Sequence, residues 1–174
     1  MTKQLFATTA ILGLVAIAVF IWASRPAVIE ASALPNYAGD KANGEVLFHA
    51  GGCISCHKPA AGADAADAKL PSGGAPFVTP IGTLYPPNIT PDPETGIGKW
   101  TDAQFVNAVK HGVSPSGEHY IPAFPYTSYA HMSTTDVLDL KAYLMSLKAV
   151  KSPRHDADLP LPWLVRRGIG IWKR

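Results

Sequence analysis

Cys53, Cys56 and His57 stand together in "GGCISCHKPA", residues 51 to 60, and the 174-residue chain has only two cysteines. Three chemistries use a C-x-x-C pair. A structural zinc site needs two further Cys or His ligands at finger-like spacing, and there is neither a second C-x-x-C nor an H-x₃₋₅-H. A thioredoxin-type redox pair opens a helix that follows a buried strand. Upstream of Cys53 lies "DKANGEVLFHAGG" instead, apolar at Val46, Leu47 and Phe48 without a β-branched run, which reads as helix. The third chemistry is covalent haem attachment, whose signature is C-x-x-C-H. Two thiols add to the haem vinyl groups and the adjacent histidine reaches the iron. The neighbouring residues defeat the first two readings. The motif therefore reads as a haem c site, with Cys53 and Cys56 as attachment points and His57 as proximal ligand. No internal repeat is visible, so one haem is expected.

Such attachment happens outside the cytoplasm, and the chain carries an export signal. "LFATTAILGLVAIAVFIWA", residues 5 to 23, is free of charge over its whole length. A signal-peptide core runs ~7–15 residues and a spanning helix ~17–25, so this run falls on the anchor side. The A-x-A-like Ala31–Ala33 lies far beyond the apolar run for a cleavage site. An uncleaved anchor is favoured over a removed signal, and Trp22 suits the outer interface. Lys3 and Arg25 nearly cancel as topology signals, so haem chemistry sets the orientation. The expected location is the bacterial inner membrane, single-pass, with the haem domain in the periplasm.

Residues 1–25 are thus read as membrane anchor, 26–38 as linker, 39–150 as one monohaem domain and 151–174 as a Pro-rich basic and aromatic arm. Residues 1–147 hold eight Lys or Arg against eleven Asp or Glu, whereas residues 148–174 hold seven against two. The arm is strongly cationic. A first helix should run from near Asp40 to the haem motif. A second is expected at "WTDAQFVNAVKHGV", with a Thr101/Gln104 capping box and an apolar face of Phe105, Val106 and Val109. "STTDVLDLKAYLMSL" predicts a third, capped by Ser133 or Thr134, with Val137, Leu140, Leu144 and Leu147 at helical spacing. Residues 58–99 are rich in Pro and Gly and show no convincing helix or strand. So long a loop is unusual in a compact domain unless it packs on a cofactor.

A helix leading into C-x-x-C-H, a long loop and a terminal "DVLDLKAYL" helix resemble a class I cytochrome c. More narrowly, the stretch from "LPSGGAPFVTPIGTLYPPNITPDPETGIGKWT" through "PAFPYTSY" is similar to the cytochrome c subunits of membrane-bound alcohol, gluconate and fructose dehydrogenases. It is also similar to cytochromes that serve molybdenum hydroxylases. The resemblance covers roughly residues 38 to 172. It implies an all-α class I cytochrome c fold, three to four helices and a long loop around one haem, behind an N-terminal transmembrane helix. It also implies electron transfer from a partner dehydrogenase to quinone or a terminal oxidase, rather than catalysis by the chain itself.

The sixth iron ligand has three candidates. Met132, at the end of a Pro- and Tyr-rich loop, is favoured, with His131 or an open position as alternatives. Relatives often read "PAMPY" where this chain has Phe124, which cannot coordinate. Met145 reads as core filler. Trp100 and Tyr85 read as haem-pocket wall and propionate donors, or equally as ordinary core. His49, His111, His119 and His155 read as surface or loop residues, and Asp92 with Glu94 as turn formers. An electron carrier with both axial positions filled is preferred over a haem enzyme or gas sensor with one open. No Arg/His pair is placed to cleave a peroxide bond.

In the arm, Gly168 and Gly170 argue against a stable isolated helix. The segment is expected either to cover the domain's own core or to use its Arg, Lys and Trp residues to dock on a partner subunit or on anionic headgroups.

Overall fold

The structure, a computed structural model, describes residues 2–80, 82–159 and 163–173. Helix α1 (Thr2–Ala23) is apolar all round and exposed along its length. Lys3–Ala23 has a mean hydropathy of 2.4 and is long and apolar enough to cross a membrane. The chain then passes through a 3₁₀ turn (Ala31–Ala33). This segment is not slack: Asn107 brackets Ile29, accepting from its N–H at 2.7 Å and donating to its carbonyl at 2.9 Å.

Helix α2 (Lys41–Ala50) starts where Asp40 accepts from the Ala42 and Asn43 amides. It stops short of the haem motif. Gly51 and Gly52 break it, and Cys53–His57 form a separate short helix α3. Helix α4 (Asp102–His111) carries the expected capping box, with both reciprocal bonds formed between Thr101 and Gln104. The short α5 (Tyr126–Tyr129) follows, then α6 (Thr134–Ser146), capped by Ser133 through the Asp136 amide.

Phe48, Phe105, Val106, Val109, Val137, Leu138, Leu140 and Leu144 form one buried cluster with Ile97 of the long loop. Each such side chain contributes about 1.5–3 kcal/mol by leaving water. The dominant helix contact is α2 against α6. They cross at Gly44, where a Cβ would fall on the Asp139 carbonyl oxygen. Buried Asp139 locks the crossing by accepting from the Asp40 amide at 2.6 Å and from Asn43 Nδ2 at 2.8 Å.

The all-α expectation needs one correction. Within the loop, β1 (Phe77–Thr79) and β2 (Gly82–Leu84) pair antiparallel, Phe77 opposite Leu84. Thr83 also exchanges backbone bonds with Asp158. Periodicity could not announce strands of three residues. The loop's second half is wired to itself. Asp92 accepts from the Glu94 and Thr95 amides and the Thr95 hydroxyl, the turn role expected of it. Asn88 Nδ2 donates to the Val150 carbonyl at 2.6 Å, tying the loop to the chain beyond α6.

Residues 163–172 form helix α7 (Trp163–Trp172), a docked helix and not the isolated one that its two glycines argue against. Docking supplies what propensity lacks, and Gly170 sits where any side chain would meet His119 and the Ser24 carbonyl. His119 is accordingly buried rather than superficial, and its Nε2 lies 2.8 Å from the Ser24 carbonyl oxygen. Met145, expected in the core, is 38% exposed.

Candidate haem site

The site begins at the neck between α2 and α3. Gly52, at φ 66°, turns the chain so that Cys53–His57 leave the axis of α2 as a helix of their own. Cys53 is half-buried and Cys56 exposed, and neither is in a disulfide. Burial, and secondarily the neighbouring Cys56, pushes the Cys53 thiol up to about 11. That is the opposite of the depression toward thiolate that activates a redox-active nucleophile, so Cys53 is not placed as one. Among the described residues no cluster of three or more His, Cys, Asp or Glu side chains could hold a bare metal ion.

His57 is oriented from behind. Its Nδ1 lies 2.7 Å from the Pro87 carbonyl oxygen. A carbonyl can only accept, so Nδ1 carries the proton and Nε2 is the free ligand nitrogen. Burial of the ring lowers its pKa, with the Pro87 contact opposing, and the neutral form is the one that ligates. Pro87 is itself positioned by Gly73. At φ 70°, Gly73 packs where a Cβ would lie 2.6 Å from the Pro87 oxygen, and its amide donates to the His57 carbonyl at 2.9 Å.

Cys53, Ile54, Ile89, Trp100, Tyr129 and Met132 pack, partly buried, against the core cluster. The structure thus brings Cys53, Trp100 and Met132 onto one apolar cluster. Tyr85 is not part of it; its ring pairs with His155 at 5.4 Å. Met132 is held by its backbone, its amide donating to the Tyr129 carbonyl at 3.0 Å and its carbonyl accepting from Lys110 Nζ. His131, the alternative ligand, is exposed. Phe124 packs on Tyr120, Tyr126 and Tyr129 as part of an aromatic wall. Tyr129 joins that wall to the motif by donating to the Gly51 carbonyl at 2.7 Å.

Sequence reasoning missed Gly73, Pro87 and Tyr129. The paired glycines of "PSGG" and the prolines of "YPPN" were the available signals, but only the fold shows what they face.

The residues present fit a haem c. Two uncombined thiols flank one turn of helix, the following imidazole has its distal nitrogen free, and half-buried apolar side chains line the same region. Comparison with known proteins agrees. The cytochrome c family model matches residues 41–148. A diheme cytochrome c-type protein of Cereibacter sphaeroides is 44% identical over 92% of this chain and 54% of its own length. The gluconate 2-dehydrogenase cytochrome c subunit of Pantoea cypripedii is 42% identical over 78% of this chain and 31% of its own. The fructose dehydrogenase cytochrome subunit of Gluconobacter japonicus is 37% identical over 75% of this chain and 26% of its own. The chain therefore spans about half or less of the length of these relatives.

Proposed function

The chain belongs to the cytochrome c family, and we propose that it is a membrane-anchored monohaem electron carrier serving a dehydrogenase. A cytochrome c domain implies haem c and electron transfer. Cys53 and Cys56 would hold the haem covalently, and His57 and Met132 would ligate its iron. Helix α1 holds the domain on the periplasmic face of the inner membrane. A membrane-bound dehydrogenase supplies electrons, and quinone or a terminal oxidase takes them. Several of the similar proteins are named as cytochrome subunits of gluconate, alcohol and fructose dehydrogenases.

One observation carries this reading: the His57 Nδ1 contact with Pro87, next to two uncombined thiols. The haem, when bound, supplies a single-electron change of iron valence. The protein does the rest. His57, backed by Pro87, holds its ring in one tautomer and orientation. Met132 brings a thioether from a backbone anchored by Tyr129 and Lys110. Trp100, Ile89 and Tyr129 keep water from one side of the site, which favours the less charged redox state. Cys56 is exposed, so that attachment lies at the surface, within reach of a partner.

Isolation of the tagged chain from solubilised membranes tests the reading. A denaturing gel should show haem stain on the 18.5 kDa band that survives acidic acetone, and a co-isolated dehydrogenase whose substrate reduces that haem. Haem that washes out, or a co-isolated enzyme unable to reduce it, would refute the proposal.

A further inference from the structure

Helix α7 is amphipathic, but its polar side faces the protein. Arg166 Nε donates to the His119 carbonyl at 3.1 Å, and Arg167 donates to the Ile21 carbonyl at 3.0 Å. Lys173 Nζ donates to the carbonyls of His111 and Gly112 at 2.7 and 2.8 Å and lies 4.3 Å from the centre of the Tyr126 ring. The cations are therefore spent largely on the C-terminal carbonyls of α1 and α4, groups that a helix leaves without partners of its own. Gly170 is buried on the same side. At 100° per residue, positions 165, 168, 171 and 172 fall on the opposite side. There Val165 is 51%, Ile171 44% and Trp172 62% exposed. A water-facing helix would show the reverse pattern.

We propose that α7 lies in the boundary between headgroups and acyl chains of the lipid bilayer, with Val165, Gly168, Ile171 and Trp172 turned into lipid. The inference rests on the reading of α1 as a membrane anchor. Its strongest support is continuity. The Arg167–Ile21 bond and the contact of Gly170 with Ser24 fix α7 against the end of α1, where Trp22 and Ile21 are themselves exposed. A ten-residue helix of about 15 Å is too short to span, but it suits an interfacial helix, and Trp172 and Trp22 suit the aromatic belt. Charge agrees as well. A cleft of about 400 Å³ between α7 and the α1 exit is lined by Arg25, Lys110 and Lys173 and by no carboxylate among the described residues, so no negative charge there opposes anionic headgroups. The arm thus reaches the membrane by apolar insertion, and Arg166 and Arg167, expected to dock on a partner subunit or on headgroups if the arm did not cover the core, serve to hold α7 on the domain. With two attachments, α1 and α7, the haem domain has one fixed orientation on the membrane.

The test uses the full haem-loaded chain in nanodiscs of phosphatidylcholine and phosphatidylglycerol doped with an acyl-chain diazirine lipid, with adducts mapped by mass spectrometry. Adducts are expected along α1 and also at Val165, Ile171 and Trp172. The double substitution Ile171→Glu, Trp172→Glu should reduce the α7 adducts several-fold while the α1 adducts and the haem spectrum stay unchanged. Adducts on α1 alone in the unsubstituted chain would overturn the inference and leave the anchor standing. Their absence from both helices would overturn the anchor reading and the inference with it. In native membranes, α7 crosslinked to a protein in place of lipid would also overturn it.

Discussion

His57 Nδ1 sits 2.7 Å from the carbonyl oxygen of Pro87, and Gly73 is the residue that lets Pro87 approach so closely. The Gly73→Ala substitution puts a Cβ against the Pro86 and Pro87 carbonyls at a φ of 70° that alanine adopts poorly. The Pro87 oxygen should shift away and the His57 ring become a weaker donor to iron. A weaker donor favours the reduced state, so the midpoint potential should rise. A tenfold change in the reduction equilibrium corresponds to about 59 mV for one electron. Redox titration checks this, and an unaltered potential in a variant of normal haem content would separate Pro87 from the tuning of His57.

Met132→Ala should remove the weak near-infrared band of thioether ligation in the ferric protein and lower the potential, since methionine ligation raises it relative to bis-histidine. A spectrum and potential that do not move would shift the ligand assignment to His131 or to an open position.

Gly44→Ala addresses the α2–α6 crossing. The new methyl group would land on the Asp139 carbonyl and the Tyr143 Cβ, so the two helices must separate. Overpacking of this kind costs about 1–3 kcal/mol. Denaturant titration should show the loss with covalent haem retained, and an unchanged midpoint would mean that the helices already have slack.

How much of this is legible in the sequence differs by element. The haem motif, the Thr101 capping box and the apolar stripes of α4 and α6 are plain, because each is a local pattern of residue types. Gly44, Gly73 and Asp139 are not, because their roles exist only where distant segments meet. Helix α7 departs from its sequence pattern for the same reason. Its glycines lower intrinsic propensity, but Gly170 is the point of contact with His119 and Ser24. The cationic character of the arm is evident from composition, and only the fold shows which way the charges point.

Asp139 gives the domain an acid limit. Burial alone would raise its carboxyl, but Asn43, the Asp40 amide and Tyr37 outweigh that and hold it below the ordinary carboxylate value. A depressed folded-state pKa adds stability that is present above the unfolded value of about 3.9 and lost as pH falls toward the folded one. Unfolding midpoints should therefore drop on acidification below about pH 4. Asp139→Asn should be less stable at neutral pH and show a shallower acid slope. Parallel pH profiles for the two proteins would contradict this role.

The central claim, that the chain carries electrons on an iron whose two axial positions are filled by protein, is tested most directly by carbon monoxide. The optical spectrum of the dithionite-reduced, full-length protein should be the same before and after saturation with the gas. A shifted and sharpened Soret band after the addition would reveal an open iron position, and the chain would then be a haem enzyme or gas sensor instead of a carrier.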